Sequence, residues 1–99
     1  MNMQAMLKQA QNLQKKMLNE QEEINNYSFT AQNGLVTITM KGNKHVESVE
    51  IDQENELTHE DIEMLEDMIM LAFNDAITQI DKMTEEKLGK YTNGIPGLF

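Results

Sequence analysis

The first 26 residues carry an apolar repeat that constrains the fold more than any other feature of the chain. Along one line, positions are separated alternately by three and four residues: Met3, Met6, Ala10, Leu13, Met17, Glu20 and Ile24. This spacing is the heptad pattern of a helix that packs against another helix, and Glu20 is its one polar member. We expect the helix to end at Asn25-Asn26, after about 24 residues or about 36 Å. Such a helix cannot bury its seam alone, so it requires a partner helix in the same chain or another.

After this helix the apolar period changes to two, which indicates β-strands. The predicted strands cover residues 27–31, 35–41 and 44–52. Two glycine-containing pairs predict the turns between them: Asn33-Gly34 and Gly42-Asn43. Val46 and Val49 are separated by three residues instead of two, which predicts a β-bulge near Glu47-Ser48. The result is a three-stranded antiparallel meander with one apolar face.

A second helix is predicted after a polar loop. Thr58 followed by Asp61 is typical of a capping box with Asp in place of Glu. One apolar stripe follows: Ile62, Leu65, Ile69, Ala72, Ala76, Ile80 and Met83, widened by Met68, Phe73 and Ile77. We expect this helix to end near Leu88, with Gly89 at a C-cap position.

The order helix, three strands, helix is an α+β pattern, and 99 residues support one domain. We assign residues 1–90 to that domain and expect residues 91–99, which contain Gly and Pro, to form an irregular tail. Three strands and two long seams would leave much apolar surface exposed in a monomer. A homodimer is therefore expected.

Catalytic and metal-binding patterns are weak. The chain has no cysteine, and neither of its histidines has a nucleophile or base at a suitable spacing: His45 and His59. His59 and Glu63 lack the second histidine of a zinc-binding HExxH motif. The acidic run from Glu54 to Asp67 lacks the ligand alternation and glycine of a calcium loop, and we interpret it as a solvated face. We predict no enzyme, no cofactor, no metal and no small-molecule substrate.

Localisation follows from hydropathy. No run of eighteen apolar residues is present, and the first residues lack the apolar centre of a signal peptide. The sequence therefore predicts no membrane partner and a cytoplasmic protein.

The formal net charge of -9 argues against a polyanionic partner, but the charge is uneven along the chain. It is +3 over residues 1–19, -4 over 20–52, -9 over 53–81 and +1 over 82–99. If the two helices pack antiparallel, six lysines gather at one end of the molecule: Lys8, Lys15, Lys16, Lys82, Lys87 and Lys90. The alternative is that these lysines only solubilise a helix pair.

Several segments resemble the YbaB/EbfC family of bacterial nucleoid-associated DNA-binding proteins. They are MLKQAQNLQKKM (6–17), GLVTITMKGN (34–43), VESVEID (46–52), IEMLEDMIMLAFNDAI (62–77) and the ending IPGLF. The resemblance implies a small cytoplasmic homodimer whose paired helices project from a shared sheet like tweezers. It further implies binding of duplex DNA with little sequence preference, and a role in nucleoid organisation and gene expression. By the same resemblance, six lysines match the DNA-binding arms: Lys8, Lys15, Lys16, Lys82, Lys87 and Lys90.

The sequence departs from a strong DNA binder in one respect. All eight basic residues are lysines, so the side chain best suited to bidentate recognition of phosphate or guanine is missing. We therefore expect weak contacts to phosphate rather than to base edges. The alternative function is that of an acidic, dimeric protein-interaction module with little or no direct DNA binding.

Overall fold

The computed structural model describes residues 2–53 and 56–94, with side chains described up to residue 91. Two helices flank three strands: α1 (Met3–Asn26), β1 (Ser28–Asn33), β2 (Val36–Lys41), β3 (Val46–Ile51) and α2 (Ile62–Gly94). A single 3₁₀ turn, His59–Asp61, leads into α2. The α+β class and the element order predicted from the sequence are confirmed.

The strands form one antiparallel sheet in the order β1-β2-β3. In the first hairpin Asn33 pairs with Val36, so the two-residue loop is Gly34-Leu35, one position later than predicted. Gly34 has a φ of 55°, whereas Leu35 has a negative φ. This combination is that of a type II′ turn, in which only the first central residue needs positive φ.

The second hairpin contains the predicted bulge. Thr39 pairs with Ser48 and Met40 pairs with Val46, which leaves Glu47 as the extra residue. The turn before β3 contains Gly42-Asn43, as expected, and Lys44 adopts a φ of 70°. The bulge keeps Val46 and Val49 on the same face of β3 despite their odd spacing.

The core lies between the apolar face of the sheet and α2. Val36, Ile38 and Met40 alternate with half-buried residues along β2, as the period of two predicts. Facing them on α2 are small or branched side chains that are fully buried: Ala72, Ala76 and Ile80. The two alanines let α2 lie close to the sheet, because they add no bulk between the backbones.

The start of α2 has the predicted capping box. Oδ2 of Asp61 accepts hydrogen bonds from the backbone N–H of Thr58 at 2.8 Å and from its hydroxyl at 3.0 Å. These bonds hold the pKa of Asp61 below its ordinary value, the backbone bond contributing most. The carboxylate also lies where the helix dipole favours negative charge.

The predicted end of α2 at Leu88 is wrong, because the helix continues through Gly89 to Gly94. Leu88 and Tyr91 flank Gly89 and are both buried against α1. That burial offsets the cost of about 1 kcal/mol for glycine inside a helix. Four residues of the predicted irregular tail, 91–94, are therefore helical, and residues 95–99 lie outside the described residues.

The molecule is elongated. Its Cα radius of gyration is 19.7 Å, against about 13 Å for a compact domain of this length, and its principal extents are 71 × 20 × 14 Å. Within the described residues, no helix is both long and apolar enough to span a membrane.

Candidate nucleic-acid interface

The elongated shape comes from a helical arm, which consists of α1 and residues 82–94 of α2. Its interior is a small apolar cluster in which Ile24, Leu88 and Tyr91 are buried. Leu13 and Met17 of α1 pack against this cluster, together with Met83 of α2. The second half of the predicted seam of α1 is thus covered by α2, which is the partner helix that the pattern requires.

The two helices of the arm run antiparallel. Ile24, near the end of α1, contacts Gly42 at the sheet, and Ile80 of α2 also packs on the sheet. Further from the sheet, Glu20 meets Lys90. Moving outward, residue numbers fall along α1 and rise along α2.

The first part of α1 extends beyond the cluster. Every residue from 2 to 12 is exposed, and Met3 retains 75% of its accessible surface. The helix is capped by Asn2, whose side-chain oxygen accepts a hydrogen bond from the backbone N–H of Gln4 at 3.0 Å. Residues 3–12 correspond to about 15 Å of helix whose side chains are all exposed.

Five of the six candidate lysines lie on this arm as exposed side chains: Lys8, Lys15, Lys16, Lys82 and Lys87. None of them has a carboxylate within salt-bridge distance among residues 2–53 and 56–94. Lys8 and Lys15, seven residues apart, share the face of α1 opposite the seam. These lysines are spread along the arm: Lys8 to Lys16 span about 12 Å of α1, and Lys82 to Lys87 span about 8 Å of α2.

The sixth candidate, Lys90, is paired. Its Nζ lies 3.1 Å from Oε1 of Glu20 and 5.2 Å from the ring centroid of Tyr91. Hydrogen bonding from Lys90, and then from Tyr91, lowers the pKa of Glu20, and the same bond from Glu20 raises the pKa of Lys90. The polar member of the apolar seam therefore has a specific partner on the facing helix.

The prediction from the sequence groups Lys90 with the other five lysines and does not include this pair. A signal for it was present, because a carboxylate inside an apolar seam needs a cation on the facing helix. Antiparallel packing brings lysines of α2 opposite that position, but the choice among them depends on where α2 ends. Because the predicted α2 ends near Leu88, Lys90 falls outside the predicted helix.

Most of the other charged groups lie on the body, which consists of the sheet and residues 59–81, whereas Glu22, Glu23, Glu85 and Glu86 lie on the arm. Lys44 forms a salt bridge with Asp81 at 3.4 Å, and both side chains are largely exposed. His45 and His59 are exposed as well. Within the described part of the chain, no group of three or more His, Asp or Glu side chains is arranged to hold a metal ion.

An exposed, lysine-bearing helical arm thus projects from an acidic body, and the same arrangement can be sought in known proteins. The model of the YbaB/EbfC DNA-binding family matches residues 1–95. The chain belongs to the YbaB/EbfC DNA-binding family. The description of this family is that its members bind DNA.

Curated relatives carry the corresponding description. A nucleoid-associated protein of Lactococcus lactis strain IL1403 is 48% identical over 97% of this chain and 98% of its own length. A nucleoid-associated protein of Enterococcus faecalis strain V583 is 45% identical over 97% of this chain and 93% of its own. A crystal structure of an uncharacterized Helicobacter pylori protein shares the fold, with a TM-score of 0.67 at 18% identity over 95% of this chain and 99% of that one.

Proposed function

We propose that this protein binds duplex DNA as a homodimer through its helical arm and acts in the bacterial nucleoid, in the cytoplasm. The binding is weak and has little sequence preference. Through it the protein contributes to nucleoid organisation and gene regulation, in keeping with relatives that are named nucleoid-associated proteins.

The observation that carries this proposal is the charge of the arm. Residues 2–19 contain Lys8, Lys15 and Lys16 and no carboxylate, and all three side chains are exposed. Residues 59–81, on the body, contain seven carboxylates and no lysine. A phosphate backbone can therefore approach the outer arm while the body repels it.

The expected affinity follows from the type of cation. Lysine ammonium groups neutralise phosphates as point charges, and arginine, which reads guanine most often, is absent. Contacts confined to phosphate carry no sequence information. We expect dissociation constants of about 10⁻⁴ to 10⁻⁶ M at physiological salt, on any duplex.

The homodimer is supported by the apolar surface that one chain leaves exposed. Large apolar side chains remain accessible on β3 and on the first half of α2: Val49, Ile62, Met64, Met70 and Leu71. In a single chain these side chains are in contact with water, and a second copy packed on them would cover them. Two copies would also present two arms to one duplex, which multiplies weak contacts.

The test compares two variants that lose the same charge at different places. Lys15→Gln with Lys16→Gln removes two lysines from the arm, and Lys41→Gln with Lys44→Gln removes two from the body. Fluorescence anisotropy with several unrelated duplexes is expected to show weaker binding for the arm variant, by a similar factor on every duplex. The body variant is expected to bind almost as the unmodified protein does.

Equal losses in both variants would mean that only total charge matters, and the assignment to the arm would be rejected. No binding by the unmodified protein at low salt would reject direct DNA binding and favour a protein-interaction module.

A further inference from the structure

We propose that Glu20 and Lys90 form a positioning pair, in which Lys90 sets the angle between the two helices of the arm and contributes no phosphate contact. The inference rests on the proposed DNA binding. It removes one of six candidate lysines from the interface and gives a role to Glu20, the one polar member of the apolar seam of α1.

Lys90 is held from two directions. Its Nζ contacts Oε1 of Glu20 at 3.1 Å and lies over the ring of Tyr91 at 5.2 Å. That ring is buried, with 5% of its surface accessible, in the apolar cluster of the arm. The ammonium group therefore has a partner on α1 and another in the interior of the arm while the side chain is 60% exposed, unlike the five lysines with no carboxylate partner among the described residues.

The partial burial of the Glu20 carboxylate favours its ion pair with Lys90. Its side chain is 28% exposed, and its second carboxylate oxygen, Oε2, is buried. If Lys90 turned to a phosphate, this carboxylate would lose its charge-assisted hydrogen bond while still partly desolvated. A DNA phosphate would thus have to compete with the Glu20 carboxylate, which is already bonded to the ammonium group of Lys90.

The pair lies at a point of α1 from which a small tilt relative to α2 displaces the outer lysines. Glu20 stands between Met17 and Ile24, which pack in the cluster of the arm, as does Leu13 one turn beyond Met17, and residues 2–12 are exposed. Lys8 is twelve residues further out, or about 18 Å along the helix axis. A tilt of 10° at Glu20 would move the backbone at Lys8 by about 3 Å, which is enough to lose a phosphate contact.

The first experiment uses the free protein and needs no DNA. Hydrogen exchange of residues 3–19 is measured in the unmodified protein, in Lys90→Gln, in Lys90→Glu and in the charge swap Glu20→Lys with Lys90→Glu. We expect exchange to be faster in both single variants and to return toward the unmodified rate in the swap. Lys82→Gln, about two turns away on α2, is the control and should leave the exchange of α1 almost unchanged.

The second experiment measures affinity for a random duplex against salt concentration. Removing a lysine that contacts phosphate makes the slope of log K against log salt shallower by about 0.9 per contact, which we expect for Lys15→Gln. For Lys90→Gln we expect a two- to fivefold loss of affinity with the slope unchanged, since an exposed ion pair couples two groups by about that factor. The swap conserves the net charge of -9, so its affinity should return to within about twofold of the unmodified protein.

A shallower slope for Lys90→Gln, matching that of Lys15→Gln, would show a phosphate contact and overturn the inference. Unchanged exchange and affinity in Lys90→Gln would overturn it as well, and so would a swap that fails to restore the exchange rate. Failure of the proposed function has a different signature, because the unmodified protein would then bind no DNA while the exchange experiment still reports on the pair.

Discussion

Gly42 shows how one residue joins the arm to the body. A Cβ atom built on it would overlap the carbonyl group of Ile24, near the end of α1, and would press on the side chain of the same residue. The backbone N–H of Gly42 donates to the carbonyl oxygen of Tyr27 at 3.0 Å, which fixes the approach. Because the neighbouring atoms belong to the helix backbone, they cannot move aside as a flexible side chain would.

We predict that Gly42→Ala destabilises the protein by about 1–3 kcal/mol or more, because the added methyl group forces α1 away from the sheet. The matched control is Gly89→Ala. There the nearest atom to an added Cβ is Cγ of Glu85 at 3.9 Å, an ordinary contact. Since Gly89 is inside α2, alanine should stabilise the protein by about 0.5–1 kcal/mol.

Thermal or urea denaturation measures both changes. Equal effects of the two substitutions would contradict the close approach of Gly42 and α1.

At the level of elements, α2 belongs to two cores. Ile80 packs with Phe29 and Met40 of the sheet, whereas Leu88 packs with Ile24 in the arm. The two side chains are eight residues apart and equally buried, each with 2% of its surface accessible. The arm and the body are thus stabilised by different parts of one helix.

We predict that Leu88→Ala and Ile80→Ala each cost about 2–5 kcal/mol, because each leaves a cavity in a buried cluster. Their local effects should differ. Leu88→Ala should accelerate hydrogen exchange mainly in α1, and Ile80→Ala should accelerate it in the sheet as well. Uniform acceleration by both variants would mean that the arm and the body unfold as one unit.

The ion pair of the arm makes its packing dependent on pH. The pKa of Glu20 lies below its ordinary value of 4.5, so the pair's contribution is complete above pH 4.5 and is lost as pH falls through the lowered value. The pKa of Lys90 lies above 10.5, so its contribution is complete below pH 10.5 and is lost as pH rises through the raised value. Between about pH 5 and 10 the pair is constant.

NMR titration of the Glu20 carboxyl carbon checks this dependence. We predict a midpoint below 4.5 in the unmodified protein and a higher midpoint in Lys90→Gln, since the first cause of the shift is then removed. An unchanged midpoint in that variant would show that the shift has another origin.

The elements could be predicted largely from local patterns. The heptad spacing of α1, the period of two in β2 and the bulge after Val46 depend on neighbours in sequence, and all three are confirmed. The end of α2 could not be predicted, because Gly89 is a local stop signal that tertiary burial of Leu88 and Tyr91 overrides.

On the scale of the whole molecule, the sequence predicts how charge is distributed along the chain, but not which distant residues contact each other. The segment charges identified a basic segment, residues 1–19, and an acidic one, residues 53–81, and the exposure of Lys8 and Lys15 agrees with their predicted positions. The pair formed by Lys90 depends on residues 70 positions apart, which no local pattern contains.

We predict that the protein has twice its chain mass of 11.4 kDa in light scattering at micromolar concentration, because of the apolar side chains left exposed on β3 and α2. Leu71→Lys is the corresponding variant, since Leu71 is 48% exposed in one chain and its replacement should cost a monomer little. A homodimer that covers Leu71 should weaken in that variant. A monomeric mass for the unmodified protein would contradict the proposed assembly.

The most direct test of lysine-mediated, non-specific DNA binding is the salt dependence of affinity for a random duplex. If four to six lysines of a homodimer contact phosphates, log K against log salt should have a slope of about -4 to -5. The triple variant Lys8→Gln, Lys15→Gln, Lys16→Gln should make that slope much shallower. A slope near zero in the unmodified protein, or the same slope in both proteins, would contradict the account.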